Sequence, residues 1–134
     1  MITAVGSTQK PSEGYGPFVF GQQPVTTKGL ELLSDEGVRK TYTYSKDSLA
    51  FGLVPVQDAQ YTFRAGAFTM VSFKTEGFGN GNKLQGCLEQ LYGPLAKVST
   101  TTYQGQRGKA EVLFSRGYDG SASAFILDKA HASE

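Results

Sequence analysis

Gly77, Gly79 and Gly81 stand just before the most helix-like segment of the chain, NKLQGCLEQLYG at 82–93. Glycines between a strand and a helix let the backbone approach a phosphate, and the helix N-terminus offers free N–H groups to an anion. Gly79, Gly81 and Asn82 are therefore the candidate anion-binding residues. The spacing is GxGxG, however, with Asn82 where a dinucleotide fingerprint has its third glycine, and no GK[ST] follows. The preceding strand also reads as part of an antiparallel hairpin, the wrong context for that fingerprint. A plain structural connection is the simpler reading.

Other chemistry finds less support. His131, the single histidine, lies in the C-terminal tail, with no second histidine or cysteine near it to build a zinc or nucleophile site. Cys87 falls on the apolar stripe of the expected helix, where a cysteine acts as a small hydrophobe. The carboxylates are scattered, and none has calcium-loop spacing. Asp119-Gly120 reads as turn chemistry, and neither Ser115 nor Ser121 sits in a nucleophile elbow. These residues imply no metal and no cofactor, and they lean away from an enzyme.

Aromatic residues make the better case for binding. Tyr42 and Tyr44 alternate with Thr41 and Thr43, so the two rings leave one side of a strand. Tyr103 ends a similar strand later in the chain. On an exposed sheet face such rings stack on a sugar or peptide, with Arg39 and Arg64, and also Arg116, at the rim. The competing reading is that aromatic cross-strand pairs simply stabilise the sheet, by roughly 0.2–1 kcal/mol each. The binding reading requires Tyr42 and Tyr44 to be solvent-exposed.

Residues 1–16 read as a flexible arm, 17–129 as one α+β domain that holds these candidates and 130–134 as a tail. PFVFG (17–21) is a first short strand, and 25–34, with Leu30, Leu32 and Leu33, a short helix weakened by Gly29. VRKTYTYS (38–45) alternates and is a strand. Pro55 confines its segment to an edge or a strand start. A hairpin follows, 59–64 and 67–75, turning at Arg64-Ala65-Gly66, where Gly66 supplies the positive φ of a tight loop. Leu84, Cys87, Leu88 and Leu91 form the stripe of the second helix, with Asn82 as its cap and Gly93-Pro94 as its stop. Strands at 96–104, 109–116 and 121–128 complete the order β-α-βββ-α-βββ.

The second half echoes the first. Leu30 and Leu33 align with Leu88 and Leu91, Phe63 with Phe114, and Phe73 with Phe125. Two such units side by side give an antiparallel sheet of six to seven strands with both helices on one face. With FVFG before the first helix, YSKDSLAFGLVPVQDAQYTF leading into the hairpin, and LEQLYGPLAKV, the chain resembles small uncharacterised bacterial helix-plus-antiparallel-sheet domains, many of them secreted or lipoprotein-like. The tandem pattern is also similar to the β-lactamase-inhibitor-protein fold, although that repeat has two helices and four strands, and no inhibitory motif is present. The resemblance implies protein–protein binding more than catalysis, as an analogy of fold.

Composition narrows the partners. Thirteen basic against twelve acidic residues leave a net charge of +1, without the basic excess that neutralises phosphates, so nucleic acid is not an expected partner. No apolar run is long enough for a membrane-spanning helix. With one cysteine there is no intramolecular disulfide. The N-terminus lacks an intact signal peptide, and a mature export product beginning with a new Met1 would look the same, so the compartment stays open. The expectation is a non-enzymatic binding or interaction module for a protein or small-molecule ligand, able to form a homo-oligomer. The alternative is a small-molecule-binding protein or enzyme with a pocket between sheet and helices.

Overall fold

The computed structural model describes residues 13–15, 18–24, 27–45, 50–51 and 54–131. Of the expected arm, Gly14–Tyr15 (β1) pairs with Phe18–Val19 (β2) in a short antiparallel ladder. Along the chain then come β3 (Leu30–Glu36), β4 (Arg39–Tyr44), β5 (Ala50–Phe51), β6 (Val54–Pro55), β7 (Gln57–Arg64), β8 (Ala67–Thr75), α1 (Phe78–Tyr92), β9 (Ala96–Lys97), β10 (Thr102–Arg107), β11 (Ala110–Arg116) and β12 (Ala122–Asp128). An antiparallel eight-stranded sheet runs β3-β4-β7-β8-β12-β11-β10-β9, and β5 pairs with β6 beside it.

The architecture is thus α+β with an antiparallel sheet, but among the described residues it has one helix rather than two, and eight main-sheet strands rather than six to seven. From Leu30 onward the segment expected as the first helix is β3, and Leu32 lies opposite Tyr42. Seven residues between the turns at Thr27–Gly29 and Gly37–Val38 make only about two helical turns, too few to stand without strong packing. The neighbouring strand Arg39–Tyr44 is rich in Thr and Tyr and offers cross-strand partners instead. The extra strand at the other edge arises because 96–104 is not one strand. A turn at Ser99–Thr101 splits it, closed by Val98 N–H donating to the Thr102 carbonyl at 2.9 Å.

The echo between halves survives only as two meanders. β3-β4-β7-β8 and β9-β10-β11-β12 meet at the central β8–β12 pair, and α1 is the connection between them. Leu30 and Leu33 are in a strand while Leu88 and Leu91 are in a helix, so that equivalence fails. Phe63 and Phe114 are both buried, but Phe73 is buried where Phe125 is exposed, so the last equivalence is out of register with the faces.

The hairpin β7–β8 turns at Ala65 (φ 52) and Gly66 (φ 87), both left-handed, with Arg64 opposite Ala67. That is a two-residue primed turn, whose twist matches the flanking strands.

One helix suffices because the N-terminal segment covers what a second would have covered. Phe18 is fully buried against the β4, β7 and β8 side of the sheet. Its ring meets Tyr44 at 5.2 Å, Tyr61 at 5.3 Å and Phe63 at 5.6 Å, all edge-to-face. Phe20 stacks on Phe68 at 5.2 Å. Across the other half, α1 buries Gly81, Leu84, Leu88 and Tyr92. The stripe therefore runs from Gly81 to Tyr92, and Leu91, expected on it, is partly exposed. Burial pushes the Tyr92 phenol well above its usual pKa. At the helix end Gly93 donates to the Glu89 carbonyl at 2.9 Å, and Pro94 follows, as the sequence predicts.

Candidate functional site

Cross-strand partners share a face, so the register sorts every side chain of the sheet. On the covered side lie Tyr42, Tyr61, Phe63, Val71, Phe73, Ala124, Ile126, Val112, Phe114 and Tyr103. On the other side, one row runs Thr41, Thr62, Met70, Leu127, Glu111 and Gln106 from β4 to β10. A second row runs Gln60, Ser72, Phe125, Leu113 and Gln104 from β7 to β10. Among the described residues no helix or strand packs on this side.

The two rows place apolar side chains together at the centre. Met70 and Leu127 are opposite each other, as are Phe125 and Leu113, and Leu127 follows Phe125 by two positions on β12. Phe125 is 36% exposed. Around this block stand uncharged hydroxyls and amides. The Thr41 and Thr62 hydroxyls are 3.4 Å apart and hydrogen-bonded. Thr62 is only 4% exposed, and the extra residue Thr69, in the irregularity between Thr62 and Phe63, bonds back to the Thr62 carbonyl at 3.1 Å. Glu111 is the only charged side chain in the two rows, and the Gln104 amide donates to it. Charges gather at the margin. Arg39 lies opposite Arg64, with Glu36 3.3 Å from the Arg39 guanidinium, and Lys74 sits at the far end of β8, 3.2 Å from Asp58.

The tyrosines chosen from the sequence are not on this face. Tyr42 and Tyr44 alternate with Thr41 and Thr43 as expected, but the rings face the core and the threonines face out. Both tyrosines are half-buried, Tyr42 meeting Phe63 at 5.5 Å and Tyr44 meeting Tyr61 at 5.7 Å. Tyr103 is also on the core side, 6.1 Å from Phe114. Burying a ring against other rings outweighs keeping it in water, so the sheet turns its aromatic side inward. Arg39 and Arg64 are exposed and adjacent at the rim, on the outward side, and the fold separates them from the tyrosines.

The glycine-rich candidate lies in a helix rather than a loop. The helix begins at Phe78 after Gly77, so Gly79, Gly81 and Asn82 are inside its first turns rather than in a loop. The Gly81 N–H donates to the Gly77 carbonyl at 2.9 Å and is not free for an anion. A Cβ on Gly81 would stand 3.4 Å from the Gly120 carbonyl oxygen, 3.5 Å from Arg116 Nη2 and 3.6 Å from the Ala122 methyl, ordinary contact distances, so α1 packs against the β11–β12 hairpin here without requiring glycine. Asn82 does not cap the helix. Its side-chain oxygen accepts from Arg116, which also donates to Gln85 at 3.2 Å.

A second feature lies at the end of the sheet. The β8–β12 ladder stops at Met70–Leu127, and Phe68 instead bonds to the 21–22 segment: it accepts from Gly21 N–H at 2.9 Å and donates to the Gln22 carbonyl at 3.0 Å. Where the strands part there is an open cleft of about 570 Å³, lined by Phe20, Gln22, Lys109, Asp128 and Lys129. Asp128 is 6% exposed, and its Oδ1 accepts the Ala130 N–H at 3.0 Å, closing the turn that follows β12. The cleft is not between sheet and helix, where the sequence-based alternative put a pocket.

Sequence reasoning missed both features. The apolar residues at 113, 125, 127 and 70 are far apart in the chain, and only the register gathers them. Among the described residues no cluster of histidine, cysteine and carboxylates is arranged to hold a metal, and no helix is long and apolar enough to cross a membrane. No family model, characterised protein or solved structure matches the chain, so the reading rests on its own geometry.

Proposed function

We propose that this protein is a non-enzymatic interaction module whose contact surface is the helix-free face of the sheet. One observation carries the reading: Met70, Leu113, Phe125 and Leu127 form a central apolar block bordered by hydroxyls and amides, with Glu111, held by Gln104, the one charge beside it and the cations kept to the margin. An apolar centre with a polar rim is the anatomy of a protein contact surface. An antiparallel sheet face left only to solvent is ordinarily polar along every strand.

Peptide and glycan arrays probed with the wild-type chain and with Phe125→Thr test this. Threonine retains strand propensity, so the fold is expected to persist, and an unchanged melting temperature verifies it. Binding that Phe125→Thr abolishes and Tyr118→Thr leaves intact supports the reading, since Tyr118 stands exposed at the tip of the β11–β12 turn. Array binding insensitive to Phe125→Thr, or neither array binding nor self-association through this face, removes it.

A second reading assigns small-ligand binding to the Asp128 cleft, favoured by the near-complete burial of a carboxylate there. It predicts that primary amines perturb the NMR signals of Lys109 and Lys129, and that Asp128→Asn, which keeps the acceptor for Ala130, ends the effect.

A further inference from the structure

We propose that the occupant of the helix-free face is a second copy of this chain, which closes face to face as a two-fold dimer. The inference rests on the reading of that face as a contact surface and adds the identity of the partner.

Area is the first argument. The six strands β4, β7, β8, β12, β11 and β10, spaced about 4.8 Å apart and each contributing about six residues of 3.4 Å, span on the order of 600 Å² before side-chain relief. Two such faces bury roughly 1,200 Å² together, the lower bound for a specific, stable protein interface.

Charge is the second. In a two-fold contact each copy presents the same patch, so any strong charge on it meets its own sign. In the three outward rows that this length takes in, the charged side chains are Glu111, already engaged by Gln104, and Lys74, in the row with Ser123, Ser115 and Thr102 and 3.2 Å from Asp58. The cations Arg39, Arg64 and Lys74 are at the ends of the strands, outside the block. A foreign protein partner is ordinarily selected and steered by complementary charge, which this patch lacks. Thr41, Gln60, Ser72 and Gln104 both donate and accept, so they can satisfy identical groups on a copy. Packing Phe125 and Leu127 against their counterparts then withdraws the apolar block from water.

Sedimentation velocity on the full chain, from low micromolar to several hundred micromolar, tests the proposal. The expected result is a concentration-dependent species of twice the 14.4 kDa chain mass. Phe125→Lys places like charges at the centre and should weaken association about tenfold or more. Phe125→Thr should weaken it less, and Tyr118→Lys should leave it unchanged. A dimer insensitive to Phe125→Lys overturns the proposal, because it forms through another surface. A wild-type chain that stays monomeric throughout also overturns it. In that case array binding lost in Phe125→Thr leaves the interaction-module reading standing, whereas no array binding ends both.

Discussion

Ala65 occupies a left-handed conformation, φ 52, in a turn whose next residue is Gly66. Alanine has no side-chain group to compensate that geometry, while asparagine tolerates it and makes the preferred Asn-Gly pair. Ala65→Asn is expected to stabilise the protein by about 0.5–1 kcal/mol, read as a higher urea midpoint at unchanged m-value. In the β11–β12 turn, Asp119 Oδ1 accepts from the Ser121 hydroxyl at 2.7 Å and from the Ser121 N–H at 2.9 Å. The hydroxyl bond first, then the backbone bond, holds the Asp119 carboxyl below the usual range. Its stabilising contribution is therefore present above the ordinary carboxylate value of about 3.9 and is lost as pH falls through the lower folded value. In Ser121→Ala the Asp119 titration should move up toward the ordinary value, as followed by carboxyl carbon NMR. An unmoved titration would show that the hydroxyl bond is not its cause.

At the scale of elements, the N-terminal segment does the work expected of a second helix. Phe18 sits among Tyr44, Tyr61, Phe63 and Phe68, whereas Leu33, which the helix reading would bury, is 54% exposed on the edge strand β3. Phe18→Ala is expected to cost about 3–5 kcal/mol and Leu33→Ala no more than about 0.5, both from chemical denaturation. The reverse order would contradict this placement of the two side chains. β3 also shows how an exposed edge is protected. It carries an irregularity between Leu32 and Ser34, and Asp35 and Glu36 pair with Lys40 and Arg39 at 3.9 and 3.3 Å. A bulge and charges on an edge discourage further strands from adding there. These exposed pairs contribute little to stability.

For the whole molecule, two meanders joined at β8–β12 place those strands in the middle of the sheet, with partners on both sides. Their amides should exchange slowest, near the global unfolding limit, and those of β3 and β9 fastest, as measured by native-state hydrogen exchange. Comparable protection in β3 would contradict its edge position. If the helix-free face closes on a second copy, protection of β8, β12 and β11 should also rise with protein concentration.

Local features were legible where a residue's own chemistry decides the outcome. The primed turn at Ala65-Gly66, the Gly93-Pro94 stop, the Leu84–Leu88 helix face and the alternation along Arg39–Tyr44 all follow from steric limits and side-chain period acting within a few residues. What the sequence left open was every choice made by distant partners. A weak leucine-bearing segment became a strand because β4 was there to pair with it, and a glycine-rich stretch that reads locally as a loop became the first turns of a helix packed beside the β11–β12 hairpin. Alternation says that Tyr42 and Thr41 point opposite ways. Only the aromatic cluster around Phe18 decides which of them meets the core, because burial free energy belongs to the assembled surface and not to the strand alone.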